Sequence, residues 1–180
     1  MWERPQLLQL YCLTGIGVRA MGIERMTWSP ESSIDDFKTV ARLAGVELSN
    51  DAISIQHLSA PHLPPTKLPF GKMAVYVFSK GPDVLKVGKV GAKSQARYTS
   101  QHYNPGSALS TLAASILADR ERLGLKDIAD ANVGQWIKEN IDRVNFLMDA
   151  RYGISVLTLL ETFLQCRLKP RYEGFKSQRL

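Results

Sequence analysis

The most constraining feature of this chain is a pair of β-branched, alternating runs, Met73–Ser79 and Val84–Val90, joined through Gly81-Pro82. Such runs on either side of a turn specify an antiparallel hairpin. With Gly81 as its midpoint, residues equidistant from that glycine oppose one another, so Tyr76 faces Lys86 and Ala74 faces Gly88. Val75 and Val77 then meet Leu85 and Val87 on the other side, which reads as the core face. Directly opposed residues have Cβ atoms roughly 4.5–5.5 Å apart. The second face therefore presents Tyr76 beside Lys86, next to a shelf without large side chains at Ala74 and Gly88 that has room for a backbone phosphate. A slip of one residue would send the pair to opposite faces.

The remaining elements are arranged around this hairpin. Ser33, with Asp36 three residues later, reads as the N-cap of a short helix to about Leu43, stopped by Gly45. A proline-rich stretch from His57 to Pro69 reads as an extended connector, and a domain boundary is expected at Gly71-Lys72. Residues 1–72 are thus an N-terminal extension and 73–180 the main domain. After the hairpin, Lys93–Tyr103 reads as a short helix closed by Asn104-Pro105-Gly106. Leu109, Leu112, Ile116 and Leu123 fit an amphipathic helix. Val133–Asn140 reads as a shorter helix, Arg143–Met148 as a strand and Ile154–Leu168 as an apolar helix ended by Pro170. The order implies an α/β domain around a small antiparallel sheet of about three strands flanked by helices.

Charge narrows the function classes once it is located. Residues 1–72 hold seven basic and seven acidic residues, whereas 73–180 hold sixteen basic and ten acidic, so the net +6 arises in the main domain. It concentrates in Lys80–Arg97 and Arg167–Arg179. Basic surfaces attract polyanions through phosphate contacts and counterion release, although many are merely solubilising. Two cysteines, Cys12 and Cys166, suit neither a disulfide framework nor a cysteine-rich zinc site, and a reducing cytoplasm is expected. The apolar run Leu7–Val18 is too short to span a bilayer and lacks a signal-peptide cleavage pattern, so no membrane association is expected. Gly88-Lys-Val-Gly91-Ala-Lys93 fails the spacing of a nucleotide phosphate loop, and His57 and His62 lack zinc-ligand spacing. Trp136 and Phe146 sit in apolar patterns typical of core.

A free tyrosine has a pKa of about 10. A neighbouring ammonium favours its phenolate, and a tyrosine so placed can take a proton from an attacking water. The same pair is also what an ordinary half-exposed sheet presents. On its own helix, Glu161 is the only charge between Arg151 and Arg167 and lies beside Leu157 and Leu164. A carboxylate in apolar company needs a partner, and an arginine in a structural ion pair is one option. Arg97 reads either as a phosphate ligand, in the company of Lys89 and Lys93, or as a helix-surface residue.

Ala74-Val-Tyr76, then Lys86-Val-Gly88 ten residues on, an arginine on the next helix and a later glutamate on an apolar helix together resemble the GIY-YIG nuclease family. The resemblance covers residues 73 to about 172. Ala74 stands where the motif has its first glycine and Lys86 where it has its second tyrosine, a substitution seen in part of the family, including a type II restriction enzyme. Gln101 stands where many members have a histidine four residues after the arginine, and no asparagine follows the glutamate helix. His102, at five residues, points elsewhere on a regular helix.

The resemblance implies Tyr76 as general base or water-positioning group, Lys86 as its electrostatic partner, Arg97 on the phosphate and Glu161 as ligand of one divalent cation, expected to be magnesium. Lys89, Lys93, His102 and Arg171 are the candidate DNA contacts, with a solvated C-terminal charge the alternative for Arg171. The implied function is a metal-dependent DNA endonuclease of restriction or defence type, acting on double-stranded DNA as a possible homodimer. Two alternatives stand beside it: a DNA-binding module of the same fold that has lost cleavage, and an RNA nuclease or toxin.

Overall fold

The computed structural model describes residues 28–108 and 110–172. The run Leu7–Val18, Cys12 and Leu109 fall outside them. Among the described residues no helix is long and apolar enough to cross a membrane.

The fold is α/β, a four-stranded antiparallel sheet with helices on both faces. Its elements are α1 (Pro30–Leu43), β1 (Ile53–Leu58), β2 (Lys72–Lys80), β3 (Asp83–Val90), α2 (Gln95–Thr99), α3 (Leu112–Ala118), α4 (Val133–Asn140), β4 (Asp142–Asp149) and α5 (Gly153–Leu168). The strand order is β1-β4-β2-β3, which leaves β3 on an edge and puts β2 between β3 and β4.

One strand was not expected. Ile53–Leu58 pairs with β4 from Ile53↔Met148 to Leu58↔Arg143, so His57 and Leu58 belong to the sheet and not to a connector. The proposed boundary at Gly71-Lys72 does not divide the core, because α1 and β1 precede it and pack into the same cluster as β2, β4 and α5. Helix α1 also starts earlier than Ser33. Ser29 is its N-cap, accepting from the Ser32 amide at 3.2 Å, and Pro30 occupies the first turn, where its missing N–H costs nothing.

Each face of the sheet has its own core. Ile34 and Phe37 of α1 and Val156, Leu157, Leu160 and Leu164 of α5 meet Val75, Val77, Val87, Val144, Phe146 and Met148 on one side. Fully burying a side chain of this size contributes about 1.5–3 kcal/mol of gross hydrophobic free energy, so the face that α5 applies to the sheet is a major stabilising contact. On the other side Tyr98 of α2, Leu112 and Ile116 of α3 and Val133 and Ile137 of α4 cover Ala74, Tyr76, Phe78, Leu85 and Val90.

Candidate active site

The hairpin turn decides which side chains share a face. Gly81 has φ +55° and is followed by Pro82, the arrangement of a two-residue type II′ loop, with Lys80 opposite Asp83. That moves the centre half a residue past Gly81, so every opposed position is displaced by one. A bulge between Phe78 and Ser79 then inserts Leu85 as an extra residue, which displaces the register by one more. Tyr76 therefore opposes Gly88, and Lys86 opposes Phe78. Either displacement alone would have separated Tyr76 from Lys86. Together they restore the common face, but not the direct pairing expected from the sequence. Leu85 joins the Tyr76 side and Val84 takes its place in the other core.

The shelf expected at Ala74 and Gly88 is occupied by Tyr76 itself. A Cβ at position 88 would collide with the tyrosine hydroxyl and ring, so a glycine there is what allows the phenol to lie across β3. Tyr76 is 1% exposed, and this face of the sheet is roofed by helices. Lys86 is buried too; its Nζ donates to Ser110 Oγ at 3.1 Å and to the Tyr172 carbonyl at 3.3 Å. Tyr172 is held over the β3 edge by its own amide, which donates to the Leu85 carbonyl at 2.8 Å. Its hydroxyl donates to Asp119, and burial first, then that bond, pushes its pKa up to about 12. The Arg171 amide donates to the Val84 carbonyl while its side chain is exposed.

The helix expected over Lys93–Tyr103 is regular only from Gln95 to Thr99 and then tightens into a 3-10 turn at Gln101–Tyr103. That turn swings His102 inward, and its ring centroid lies 4.4 Å from that of Tyr76. His102, grouped above with the DNA contacts, is 1% exposed and contacts the tyrosine instead. Its Nδ1 accepts from the Leu112 amide at 3.3 Å. Burial depresses its pKa well below the usual imidazole range, with the positive charges of Arg143, Lys86 and Arg97 acting in the same direction. A neutral imidazole accepting at Nδ1 carries its proton on Nε2, and that buried nitrogen has no hydrogen-bond partner among the described residues. Arg97 itself is exposed on α2, as is Lys93 just before it.

Arg143, the largest wholly buried side chain among the described residues, does not stand out in the sequence. It is the second residue of β4, opposite Phe78, and its guanidinium donates to Asn145 Oδ1 and the Tyr98 carbonyl at 2.8 Å and to the Tyr103 hydroxyl at 3.4 Å. Its Cζ lies 5.1 Å from the ring centroids of Phe78 and of Tyr98. Asn145 and the Tyr98 hydroxyl both donate to Gln56 Oε1 of β1 at 2.8 Å, and the Tyr103 hydroxyl meets His62 Nε2 at 2.8 Å. The signal was present: Arg143 and Asn145 alternate with Val144, Phe146 and Met148, but the polar side of that pattern reads as solvent-facing until β1 and the helices cover it.

Glu161 is on the other side of the sheet. It projects from α5 and forms an ion pair with Lys89 Nζ at 2.5 Å, its side chain 15% exposed. The partner is a lysine on β3, not the arginine weighed from sequence, and it is one of the candidate DNA contacts. Lys89 opposes Val75, so Glu161 and Tyr76 approach β3 from opposite faces at neighbouring positions, Lys89 and Gly88. Magnesium takes few carboxylates and keeps several waters. One carboxylate would suffice for that, but its Oε2 is engaged by an ammonium, and no group of three or more His, Cys, Asp or Glu residues able to hold a metal occurs among the described residues. A cation binding through Oε2 would have to displace Lys89.

Compared with known proteins, the chain matches no family model, no curated protein and no solved structure.

Proposed function

We propose that this protein is a DNA endonuclease of the GIY-YIG type, hydrolysing phosphodiester bonds around Tyr76. The observation that carries this reading is the packing of the buried His102 ring on Tyr76, at a centroid distance of 4.4 Å, with the Arg143 guanidinium 5.9 Å from the tyrosine ring and Lys86 on the same face of the sheet. A tyrosine beside several cations is suited to a reaction in which negative charge develops at a phosphate and a proton leaves water. Because Tyr76 is 1% exposed, this role requires the covering of β3 near Gly88 to open to the substrate; Tyr76 then positions or deprotonates the water, Lys86 supplies positive charge from the same face of the sheet and exposed Arg97 receives the phosphoryl oxygens. His102, neutral and packed on the tyrosine, fixes the ring. Magnesium at Glu161 belongs to the proposal as a ligand exchanged for Lys89; when bound it would supply positive charge at the leaving oxygen. No step is derived through it.

A second reading has its own observation. The Lys89–Glu161 ion pair already neutralises the carboxylate, as expected of a DNA-binding module that no longer cuts. Incubation of supercoiled plasmid with magnesium distinguishes the two, comparing the parent with Tyr76→Phe and Glu161→Ala. Nicking or linearisation by the parent, lost in both variants with unchanged melting, supports the nuclease. Retarded but uncut DNA supports the module. Cleavage undiminished in both variants refutes the site. Parallel incubation with RNA separates an RNA nuclease from either.

A further inference from the structure

Phe70 is the side chain most at odds with its surroundings, because it is wholly exposed. It is not on a slack loop. The Lys72 amide donates to the Pro69 carbonyl at 3.1 Å, and Gly71, in the third position of that turn, has φ +70°, as a type II turn requires. Both flanks are tied down: the Leu68 amide donates to Gln95 Oε1 at 2.9 Å, and the Gly71 carbonyl accepts from the Ala150 amide at 2.8 Å. Phe70 thus stands at the corner of a fixed turn. It borders a cleft of about 390 Å³ whose other walls include Lys67, Leu68, Gly71, Ala92 and Gln95.

The two segments that form this cleft come from the most acid-poor part of the chain. From Ala52 to Ala118 there are seven Lys/Arg and a single acidic residue, Asp83. Lys93 lies between the lining residues Ala92 and Gln95, and Arg97 is two residues further along α2; Lys67, Lys93 and Arg97 are all exposed. A rigidly presented aromatic ring beside several cations matches the chemistry of a nucleobase between its phosphates: the ring offers a π-face for stacking and the cations meet the backbone.

We propose that Phe70 is a stacking platform for an unstacked base of bound DNA, with Lys67, Lys93 and Arg97 on the adjoining phosphates. The proposal rests on the nucleic-acid reading above and narrows its substrate to DNA that is single-stranded, bulged or readily unpaired at the contact. Placing such a ring on a turn tied to α2, the helix of Arg97, fixes the base relative to the phosphate that Arg97 receives.

The test is equilibrium binding of the full chain, in EDTA so that nothing is cut, to a short single-stranded oligonucleotide containing 2-aminopurine. A fully paired duplex of the same sequence is compared with it. Phe70→Ala is expected to weaken single-strand binding by at least about fivefold, the low end of what base–aromatic stacking contributes, and to abolish the quenching of 2-aminopurine. The salt dependence stays that of the parent, because phosphate contacts are untouched, whereas Lys93→Ala makes it shallower. Phe70→Trp keeps both affinity and quenching. If the parent binds DNA and Phe70→Ala binds and quenches equally well, the platform is refuted while the nucleic-acid reading survives. If the parent binds no DNA at low salt, both fall. If Phe70→Ala instead abolishes a concentration-dependent dimer without changing DNA affinity, the ring is a contact between copies and the proposal is overturned.

Discussion

Gly88→Ala is the sharpest probe of the arrangement around Tyr76. The added Cβ would sit 2.6 Å from Tyr76 Cζ and 3.0 Å from Cε2, with the hydroxyl nearer still. Ordinary contact requires about 3.6 Å, so the ring must retreat by about 1 Å. It has little room to do so, since the rings of His102 and Phe78 lie at centroid distances of 4.4 and 5.6 Å and the residue is 1% exposed. Overpacking of this kind costs about 1–3 kcal/mol, and a strand backbone pressed on an aromatic ring belongs at the upper end. Gly88 is not among the glycines with positive φ, so alanine by itself would favour the strand by about 0.5–1 kcal/mol. Collision outweighs propensity, leaving a net loss of about 1.5–2.5 kcal/mol. For a chain of this size that lowers Tm by roughly 3–10 °C. Urea titration followed by circular dichroism measures it directly. Tyr76→Leu in the same chain removes the obstacle, so the double variant is expected to be more stable than the sum of the single effects by at least about 1 kcal/mol. A Gly88→Ala protein as stable as the parent, or strictly additive effects, would mean that Tyr76 does not lie across β3, and the tyrosine-centred site would fail with it.

Arg143→Lys keeps the charge but loses the fork that reaches Asn145, Tyr98 and Tyr103 together; a loss of about 2–3 kcal/mol is expected in the same titration, and an unchanged midpoint would remove the arginine from the architecture. The depressed pKa of His102 predicts a pH dependence of definite sign. The folded state holds it neutral while the unfolded chain protonates near 6.5, so its contribution is present above that pH and lost as pH falls toward the folded value. The parent should lose stability between pH 7.5 and 5.5 and His102→Phe should lose less, with part of the slope remaining because the pKa of His62 is also lowered by burial and then by Arg143; an identical slope in the two proteins contradicts the argument. Lys89→Met frees Glu161, so magnesium should raise the melting temperature of that variant at lower concentration than for the parent, an effect absent when Glu161→Gln is added. No difference in magnesium response would dissociate Glu161 from metal binding.

How much of this was legible beforehand depended on whether a signal was local. Val133–Asn140 forms a helix as read, Arg143–Met148 lies within β4 and Ile154–Leu168 lies within α5, because each is a periodic run that ends on its own residues. β1 was obscured by the prolines that follow it and by a short pattern, since Ile53 and Ile55 alternate with Ser54 and Gln56 but His57-Leu58 breaks the alternation. The hairpin existed in the sequence but its register did not: a bulge depends on what packs on each side of the strands, and here Leu85 is turned onto the Tyr76 face. Lys86 and Tyr76 share a face as expected, through two displacements that compensate. Burial was the least legible property. Arg143, Asn145 and His102 look like surface residues in a linear pattern, and only the covering by β1, α2 and α3 makes them interior.

Burial also sharpens the functional question. Tyr76, Lys86 and His102 lie under one roof of the sheet, while Lys89 and Glu161 lie under the other, and neither set reaches through the strands. The two approach each other only at β3, because that strand is the edge of the sheet and because its Gly88 lets the phenol lie across it while the next residue, Lys89, points to the opposite side. Further back along the same edge, at Val84 and Leu85, the backbone of Arg171 and Tyr172 occupies the strand's outward carbonyls. On the nuclease proposal, a phosphate engaging both halves would lie along β3 near Gly88 and Lys89, with Lys89 as the group that could serve either the carboxylate or the phosphate. Within the two proposed readings, nuclease and binding module differ at one lysine: held by Glu161 it would leave a neutral, metal-free flank, and drawn to a phosphate it would leave Glu161 open for a cation.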